Sequence, residues 1–460
     1  MRQVSRRALV AAAVGSALVT GCTSTVEGAA AFADPVTDVP AEDFPITGAT
    51  DSDVDRYARN ALDDLVTFWE QAYPEAYGEP FTPLEGGFFS VDSEDLDESR
   101  YPDHGIGCPG SPTDPEEVAG NAFYDPNCDV IAFDTALLAE LGEEYGPFIG
   151  PAVMAHEMGH AMQFRFGYND SSIQDETQAD CFAGAFTRWV ADGNGAHVAV
   201  RRAEIDPVVL GFLGLRDDVG SDPEDELAHG SGFDRVSGFL SGYEDGVTSC
   251  RDDFGTDRVF TQVPFTEQED YANDGNAPYG DVPALVEATL PVFYESFVDG
   301  FEPPAVETFD GTAPDCGDMG AEDRDVGFCP ADGTVYADGT DLLEPAYDDI
   351  GDFAVVTAIA LPYAEAARAA LGLPTGTPEA TVSAVCLTGT YTARVFSGDF
   401  YDPGEQAGVL LSPGDVDEAV LFLLAYGQTA AVLPHTDATG FELVGAFRAG
   451  FLQGAGSCGL

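Results

Sequence analysis

The second half of the chain repeats the first, and this repetition constrains the fold more than any other feature of the sequence. Residues 179–190 read ADCFAGAFTRWV, and residues 384–396 read AVCLTGTYTARVF. Residues 232–250 and 440–458 both begin with Gly-Phe and both end with Cys. Matches that keep their order along a chain are typical of an internal duplication. We therefore predict two tandem copies of one unit.

The first 22 residues, MRQVSRRALVAAAVGSALVTGC, combine a basic start, a short apolar run and small residues before a cysteine. This pattern is typical of a secretory signal peptide. VTGC resembles a bacterial lipobox, which implies a diacylglyceryl anchor on Cys22 and a place outside the cytoplasm at the cell membrane. SRRALV resembles a twin-arginine export signal. The alternative is a transmembrane anchor that is retained.

These features divide the chain into four predicted parts. Residues 23–50 are small, contain proline and lack periodicity, which suits a tether. The parts are a signal peptide at 1–21, a tether at 22–50, a first copy at 51–255 and a second copy at 270–460.

Eight cysteines remain once Cys22 is set aside, and an even number in an exported protein predicts disulfides. Cysteines in equivalent places of the two copies favour one pairing within each copy, and the remaining four favour two local pairs. The predicted bonds are Cys181–Cys250, Cys386–Cys458, Cys108–Cys128 and Cys316–Cys329.

The chain is strongly acidic, with 82 Asp and Glu against 18 basic residues and a formal net charge of −64. All 18 basic residues are arginine, so a Walker A loop and a pyridoxal Schiff base, which need lysine, are excluded. A surface this acidic repels phosphate, so we expect no nucleic-acid partner. An acidic coat suits high salt, which predicts a halophilic or salt-tolerant source.

The motif His-Glu-x-x-His lies at residues 156–160, within AVMAHEMGHAMQ. On a helix, His156 and His160 share a face and can present both imidazoles to one metal ion. Glu157 lies beside them, where a carboxylate can take a proton from a water that zinc has made acidic. The motif predicts one catalytic zinc ion, with Glu157 as general base.

A catalytic zinc has three protein ligands and one open position, so a third ligand is expected from another element. The segment ETQAD at 176–180 offers Glu176 and Asp180, again four apart on one helical face. We assign Glu176 as the ligand and Asp180 as the acceptor for the other N–H of a ligand histidine. The reverse assignment of the two acids stays open.

His229, in AHGSGFDR, is the remaining candidate for a catalytic group, as a donor to the oxyanion of a tetrahedral intermediate. The alternatives are that it caps the following helix or lies in solvent. Arg235, further along, is interpreted as a structural ion-pair partner rather than a substrate anchor.

HEMGHAMQ, ETQADCFAG and HGSGFDRVSGFLSGYEDG, followed by a cysteine, together resemble the bacterial neutral zinc metallopeptidase family. The resemblance is good over about 120–250 and weak elsewhere. It implies a zincin-like, predominantly helical α+β fold. It also implies His156, His160 and Glu176 as zinc ligands and Glu157 as base.

The second copy departs from this pattern. Residues 357–362 read Thr-Ala-Ile-Ala-Leu-Pro in place of the two histidines and the glutamate, and Val385 replaces Asp180. Asp437 stands in the place of His229. We expect this copy to bind no zinc and to be a degenerate scaffold that packs against the first.

The sequence therefore predicts an exported, lipid-anchored zinc metallopeptidase that acts on protein or peptide substrates. Two other functions remain open. One is a zinc-binding lipoprotein that docks partners without hydrolysis, and the other is a zinc amidase that acts on cell-wall peptides.

Overall fold

The computed structural model describes residues 37–255, 257–266, 268–316, 319–320, 323–402 and 407–460. The predicted signal peptide, Cys22 and the first part of the tether lie outside these residues. The end of the tether differs from the expectation, because residues 37–50 are packed on the domain. Val39 and Ile46 are buried there, and Thr47 forms a β-bridge with Phe89.

The described residues form an α+β structure in which helices predominate over short strands, as predicted. The first half contains seven helices among its described residues: α1 Asp53–Tyr77, α2 Thr135–Tyr145, α3 Ile149–Phe166, α4 Ser172–Ala191, α5 Arg202–Gly214, α6 Gly232–Asp245 and α7 Val247–Asp252. Its strands are β1 Gly87–Val91, β2 Ile106–Cys108, β3 Ser111–Thr113, β4 Ala122–Asp125 and β5 Val130–Asp134.

The second half shows a similar order of elements, but its two-stranded sheet lies between later helices, whereas that of the first half precedes β4. Its helices are α8 Gln268–Ala272, α9 Val282–Glu295, α10 Glu344–Asp349, α11 Asp352–Ala370, α12 Pro378–Phe396, α13 Asp415–Ala425 and α14 Gly440–Gln453. Its strands are β6 Ala305–Phe309, β7 Val326–Cys329, β8 Thr334–Asp338, β9 Tyr401–Asp402 and β10 Ala407–Gly408.

Each half carries a three-stranded sheet with the same topology. In the first half β5 is central, parallel to β1 and antiparallel to β4. In the second half β8 is central, parallel to β6 and antiparallel to β7. All five residues of β5 are buried, since helices cover one face of the sheet and a small apolar cluster covers the other. The sheet thereby holds the edge strand β4 next to α3.

Glycines let α4 and α6 pack with their backbones in contact. A Cβ atom on Gly184 would lie 1.9 Å from the carbonyl oxygen of Phe239, and one on Gly242 would lie 1.7 Å from that of Cys181. The second half packs α12 against α14 in the same way, through Gly389 and Gly450. Alanine at these positions would force the helices apart, so the helix pairs depend on glycine.

Disulfides add cross-links to this part of the fold, since Cys181, midway along α4, is bonded to Cys250 on α7. The structure contains the four bonds that the sequence predicts: Cys108–Cys128, Cys181–Cys250, Cys316–Cys329 and Cys386–Cys458. The bonds at Cys181 and Cys386 close long loops, and constraints on long loops reduce the entropy of the unfolded chain most.

The two halves share one hydrophobic core and exchange helix caps. Asp206 of α5 accepts hydrogen bonds from the backbone N–H groups of Gly440 and Phe441, both at 2.8 Å, at the start of α14. We call this contact and its counterpart the reciprocal caps. In the counterpart, Asp417 of α13 accepts from Gly232 at 2.9 Å and from Phe233 at 2.7 Å, at the start of α6.

Both caps are buried and satisfy backbone donors that a helix leaves without intrahelical partners. A carboxylate at a helix N-terminus also interacts favourably with the helix dipole. Each half therefore completes a helix of the other. The predicted division of the chain into copies remains a prediction from the sequence repeat.

Within the described residues, one helix has the length and hydropathy to cross a membrane, namely α11. Its 18-residue apolar window is 83% buried inside the protein, where it packs against α9, α12 and α13.

We expect Asp206→Ala to lower the free energy of unfolding by about 1–3 kcal/mol, because two buried backbone donors lose a charged acceptor. The measurement is urea unfolding in molar NaCl, compared with Glu226→Ala, which removes an exposed acid. Equal unfolding midpoints for the two variants would contradict a stabilising role for the caps.

Candidate metal centre

The two histidines of the His-Glu-x-x-His motif lie one turn apart on α3, and Glu176 faces them from α4. The Nε2 atoms of His156 and His160 are 3.1 Å apart. Oε2 of Glu176 lies 3.2 Å from Nε2 of His156, and Oε1 lies 3.4 Å from Nε2 of His160. Three metal-ligating atoms therefore converge from two helices, as the sequence predicts.

These separations fit a tetrahedral zinc ion. Ligand atoms about 2.0–2.1 Å from zinc at tetrahedral angles lie about 3.3 Å from one another. The two nitrogens and one carboxylate are also a donor set that zinc accepts and that magnesium and calcium do not favour. His156, His160 and Glu176 are the residues that would hold the ion.

The other nitrogen of each imidazole is held by a hydrogen-bond acceptor. Nδ1 of His156 lies 2.8 Å from Oδ1 of Asp180, and Nδ1 of His160 lies 2.8 Å from Oε1 of Gln163. The Gln163 amide is itself oriented, because its Nε2 donates to the backbone carbonyl of Asp175 at 2.6 Å. With an acceptor at each Nδ1, a neutral ring carries its hydrogen there and leaves Nε2 as the lone-pair donor.

Asp180 is fully buried and binds a second partner besides His156. Its two carboxylate oxygens accept from Nη2 and Nε of Arg235 on α6, at 2.8 and 2.9 Å. Arg235 also donates from Nη1 to the carbonyl of Leu215 at 2.6 Å. Burial alone would raise the pKa of Asp180, but Arg235 and His156 outweigh it and hold this pKa below its usual value. The structure places Glu176 against both Nε2 atoms and Asp180 behind His156, and the assignment of the two acids as ligand and outer acceptor stays a prediction.

The metal-free site holds protons on its histidines. Burial lowers the pKa of His156, but the charge of Asp180, its hydrogen bond and Glu176 raise it to about 10. Burial likewise lowers the pKa of His160, and the contact with Glu176 outweighs it and raises that pKa. In Glu176 burial works to raise the pKa, while both histidines hold it far below its usual range. A metal ion that binds to Nε2 of both rings therefore has to displace protons.

Glu157 is buried beside this cluster, at the floor of a cleft of about 410 Å³. Burial raises the pKa of Glu157, His156 and His160 lower it, and Glu176 raises it, with a net shift upward. A carboxylate with a raised pKa accepts a proton more readily at neutral pH. Tyr124 of the edge strand β4 also lines the cleft.

His229 lies along the same cleft, just before α6. Its backbone N–H and Nδ1 both contact Asp217, at 2.7 and 3.1 Å, and its side chain is 48% exposed. The contact with Asp217 orients the ring and leaves its other nitrogen for solvent or substrate. The catalytic role of His229 stays a prediction.

Gln163 is a site residue that the sequence analysis missed, although it lies three positions after His160 on the same helical face. Arg235 was predicted to form a structural ion pair, and its contact with Asp180 agrees with that prediction. No sequence motif indicates that β4 lines the cleft, because this depends on how the sheet packs beside α3.

The second half has no matching ligand set among its described residues. Thr357 and Leu361 on α11 take the places of His156 and His160 in the sequence repeat, and Thr381 on α12 takes that of Glu176. These side chains are buried among apolar neighbours.

We expect Asp180→Asn to weaken zinc binding about 10–100-fold, since the His156 N–H loses a charged acceptor. Competition with a chromogenic chelator measures the affinity. Asp234→Asn is the matched control, because Asp234 is a buried acid on α6 that accepts from Thr261 and Gln262 instead. Similar losses in both variants would count against the role of Asp180.

We also expect zinc binding to release protons and to tighten as pH rises. His156 keeps its proton at neutral pH, because its pKa is raised from 6.5 to about 10. In the protein without zinc, protonated His156 contributes its full share to the free energy of unfolding at pH values below 6.5, its pKa in an unfolded chain. That contribution is lost as the pH rises through about 10, its pKa in the folded protein. Calorimetry in two buffers of different protonation enthalpy counts the protons. Identical heats in both buffers would refute the expectation.

Three uncharacterized curated proteins, one from Mycobacterium bovis and two from strains of Mycobacterium tuberculosis, are similar to this chain. Each is 28% identical over 159 residues, covering 29% of this chain and 54% of the relative. The chain therefore spans about half the length of the curated relatives it matches. No protein-family model and no solved structure matches the chain.

Proposed function

We propose that the protein is a zinc-dependent metallopeptidase. The observation that supports this proposal most is the convergence of His156, His160 and Glu176 with a buried acid, Glu157, at the floor of an open cleft. A zinc site without catalysis has no need of a proton acceptor next to its ligands. The buried Glu157 therefore favours hydrolysis over a docking role.

A zinc ion held there would supply an acidic water and polarise the substrate carbonyl. Glu157 acts as the general base in this scheme, taking a proton and returning it to the departing amine. His229, at the open side of the cleft, donates a hydrogen bond to the carbonyl oxygen as it becomes charged. Asp180 and Gln163 keep both imidazoles oriented.

We further propose that the chain has a zincin-like fold and arose by tandem duplication. The matching sheet topologies, the equivalent disulfides and the equivalent glycine contacts between helices support the duplication. The resemblance to the bacterial neutral zinc metallopeptidases rests on the motifs of the first half. In this interpretation the second half is a copy that has lost its ligands.

The N-terminal pattern supports export and a lipid anchor on Cys22, so the proposed substrates are proteins or peptides near the outer face of the membrane. The zinc-binding docking lipoprotein and the cell-wall amidase are the alternatives. Both share the metal site with the peptidase, and the experiment below distinguishes them.

We expect Glu157→Gln to reduce casein cleavage by at least about 100-fold while zinc is retained, because the variant lacks the general base. The assay uses residues 23–460 in molar NaCl, and zinc content is measured on the same samples. Glu143→Gln, which changes an exposed glutamate on α2, is the control and should cleave normally.

Cleavage that survives in Glu157→Gln would exclude Glu157 as the base. If neither the wild-type protein nor its variants cleave casein although zinc is bound, the same proteins are assayed on peptidoglycan stem peptides. Release of amino groups from those peptides would favour the amidase, and its absence would favour the docking role.

A further inference from the structure

A second cluster of potential metal ligands lies in the second half, away from the zinc site and independent of the proposed peptidase activity. Asp352 begins α11, and Asp415 and Glu418 lie in the first turn of α13. Their exposed fractions are 4%, 5% and 6%. One oxygen of each carboxylate lies within 4.8 Å of one oxygen on each of the others. Three acids are therefore gathered in one buried place.

One oxygen of each carboxylate is held by a backbone N–H. Oδ2 of Asp352 accepts from Ala277 at 3.1 Å, and Oδ2 of Asp415 accepts from Ser412 at 2.8 Å. Oε2 of Glu418 accepts from Phe353 at 2.8 Å. The carboxylates are thus oriented by main chain from three different segments.

The other oxygens of the two aspartates have no partner. Within the described residues, Oδ1 of Asp352 and Oδ1 of Asp415 are fully buried and receive no hydrogen bond. A buried carboxylate oxygen without a donor or a cation is costly. A cation bound between these two oxygens would satisfy both of them, whereas no donor among the described residues does so.

Neighbouring charges compensate the cluster only in part, through the effect of Arg216 on Glu418. The guanidinium of Arg216 is nearby, but it pairs with Asp417. Asp270 adds negative potential at Asp352 and Asp415, and Asp417 does so at Glu418.

Burial raises the pKa of Asp352 to about 6, against the effect of backbone hydrogen bonds, and the charge of Asp270 adds to the rise. Burial, and then repulsion from Asp352, raise the pKa of Glu418 to about 8. Burial, Asp352 and Glu418 raise the pKa of Asp415 well above its usual value. Without a counter-charge, Glu418 would keep its proton at pH 7.

Another acidic cluster differs from this one, because backbone donors satisfy the oxygens of its buried carboxylate. Asp63, Asp64 and His197 also lie close together. There Asp64 accepts from the backbone N–H groups of residues 196, 197 and 198, at 3.0, 2.9 and 2.8 Å. Both its oxygens are satisfied by the protein, so that cluster needs no ion.

We propose that Asp352, Asp415 and Glu418 bind a calcium ion. All three ligands are carboxylate oxygens, which a hard cation prefers, and the nitrogen and sulfur donors that zinc favours are missing from this set. Carboxylate oxygens within 4.8 Å of one another can contact one calcium ion, because oxygens about 2.3–2.6 Å from calcium on opposite sides lie about 5 Å apart. The ion would join the starts of α11 and α13.

The test measures calcium binding to the full chain, purified in detergent, stripped of metal and reloaded with one equivalent of zinc. Equilibrium dialysis in molar NaCl suppresses weak binding to the acidic surface. We expect one tightly bound calcium per chain that millimolar magnesium does not displace, and a higher thermal unfolding midpoint with calcium. Less than one calcium per chain, or an unchanged midpoint, would overturn the proposal.

Variants then locate the ion. Asp415→Asn with Glu418→Gln should weaken calcium binding at least about tenfold and abolish the rise in midpoint, since two charged ligands are lost. Glu116→Gln with Glu117→Gln removes the same charge from the surface and should bind calcium normally. Equal loss in both pairs, or no loss in the first, would overturn the assignment. If the first pair fails to fold, the wild-type stoichiometry decides.

Discussion

The ion pair between Asp180 and Arg235 is the contact on which the candidate site depends. It joins α4 to α6 inside the core, and through His156 it also reaches α3. Burying two charges is costly unless each is fully hydrogen bonded, and here both oxygens of Asp180 and three nitrogens of Arg235 have partners. The pair therefore fixes the orientation of His156, a proposed metal ligand, together with the spacing of three helices.

Much of the site could be predicted from the sequence because it lies on two helices with simple periodicity. His156, His160, Glu176 and Asp180 each follow from four-residue spacing on a helix. The same reasoning predicted the disulfides, because the repeat placed equivalent cysteines in register. Local patterns were sufficient wherever the function was carried by one face of one helix.

Other parts could not be predicted because they depend on contacts between distant segments. Helix α5 was not predicted, although Ile205, Val208 and Phe212 have helical spacing, because Pro207 interrupts the pattern. The packing of residues 37–50 depends on Asn60 and Phe89, which their composition does not reveal. In the sequence, Asp352, Asp415 and Glu418 cannot be distinguished from the many acids expected on the surface, because their burial depends on the fold.

The exchange of caps between Asp206 and Asp417 has a consequence for the history of the chain. Each half supplies a carboxylate to the start of a helix in the other. If the halves arose by the duplication proposed above, a second half without zinc ligands would still be needed, because two backbone donors of α6 depend on Asp417. Selection for folding alone would then preserve it.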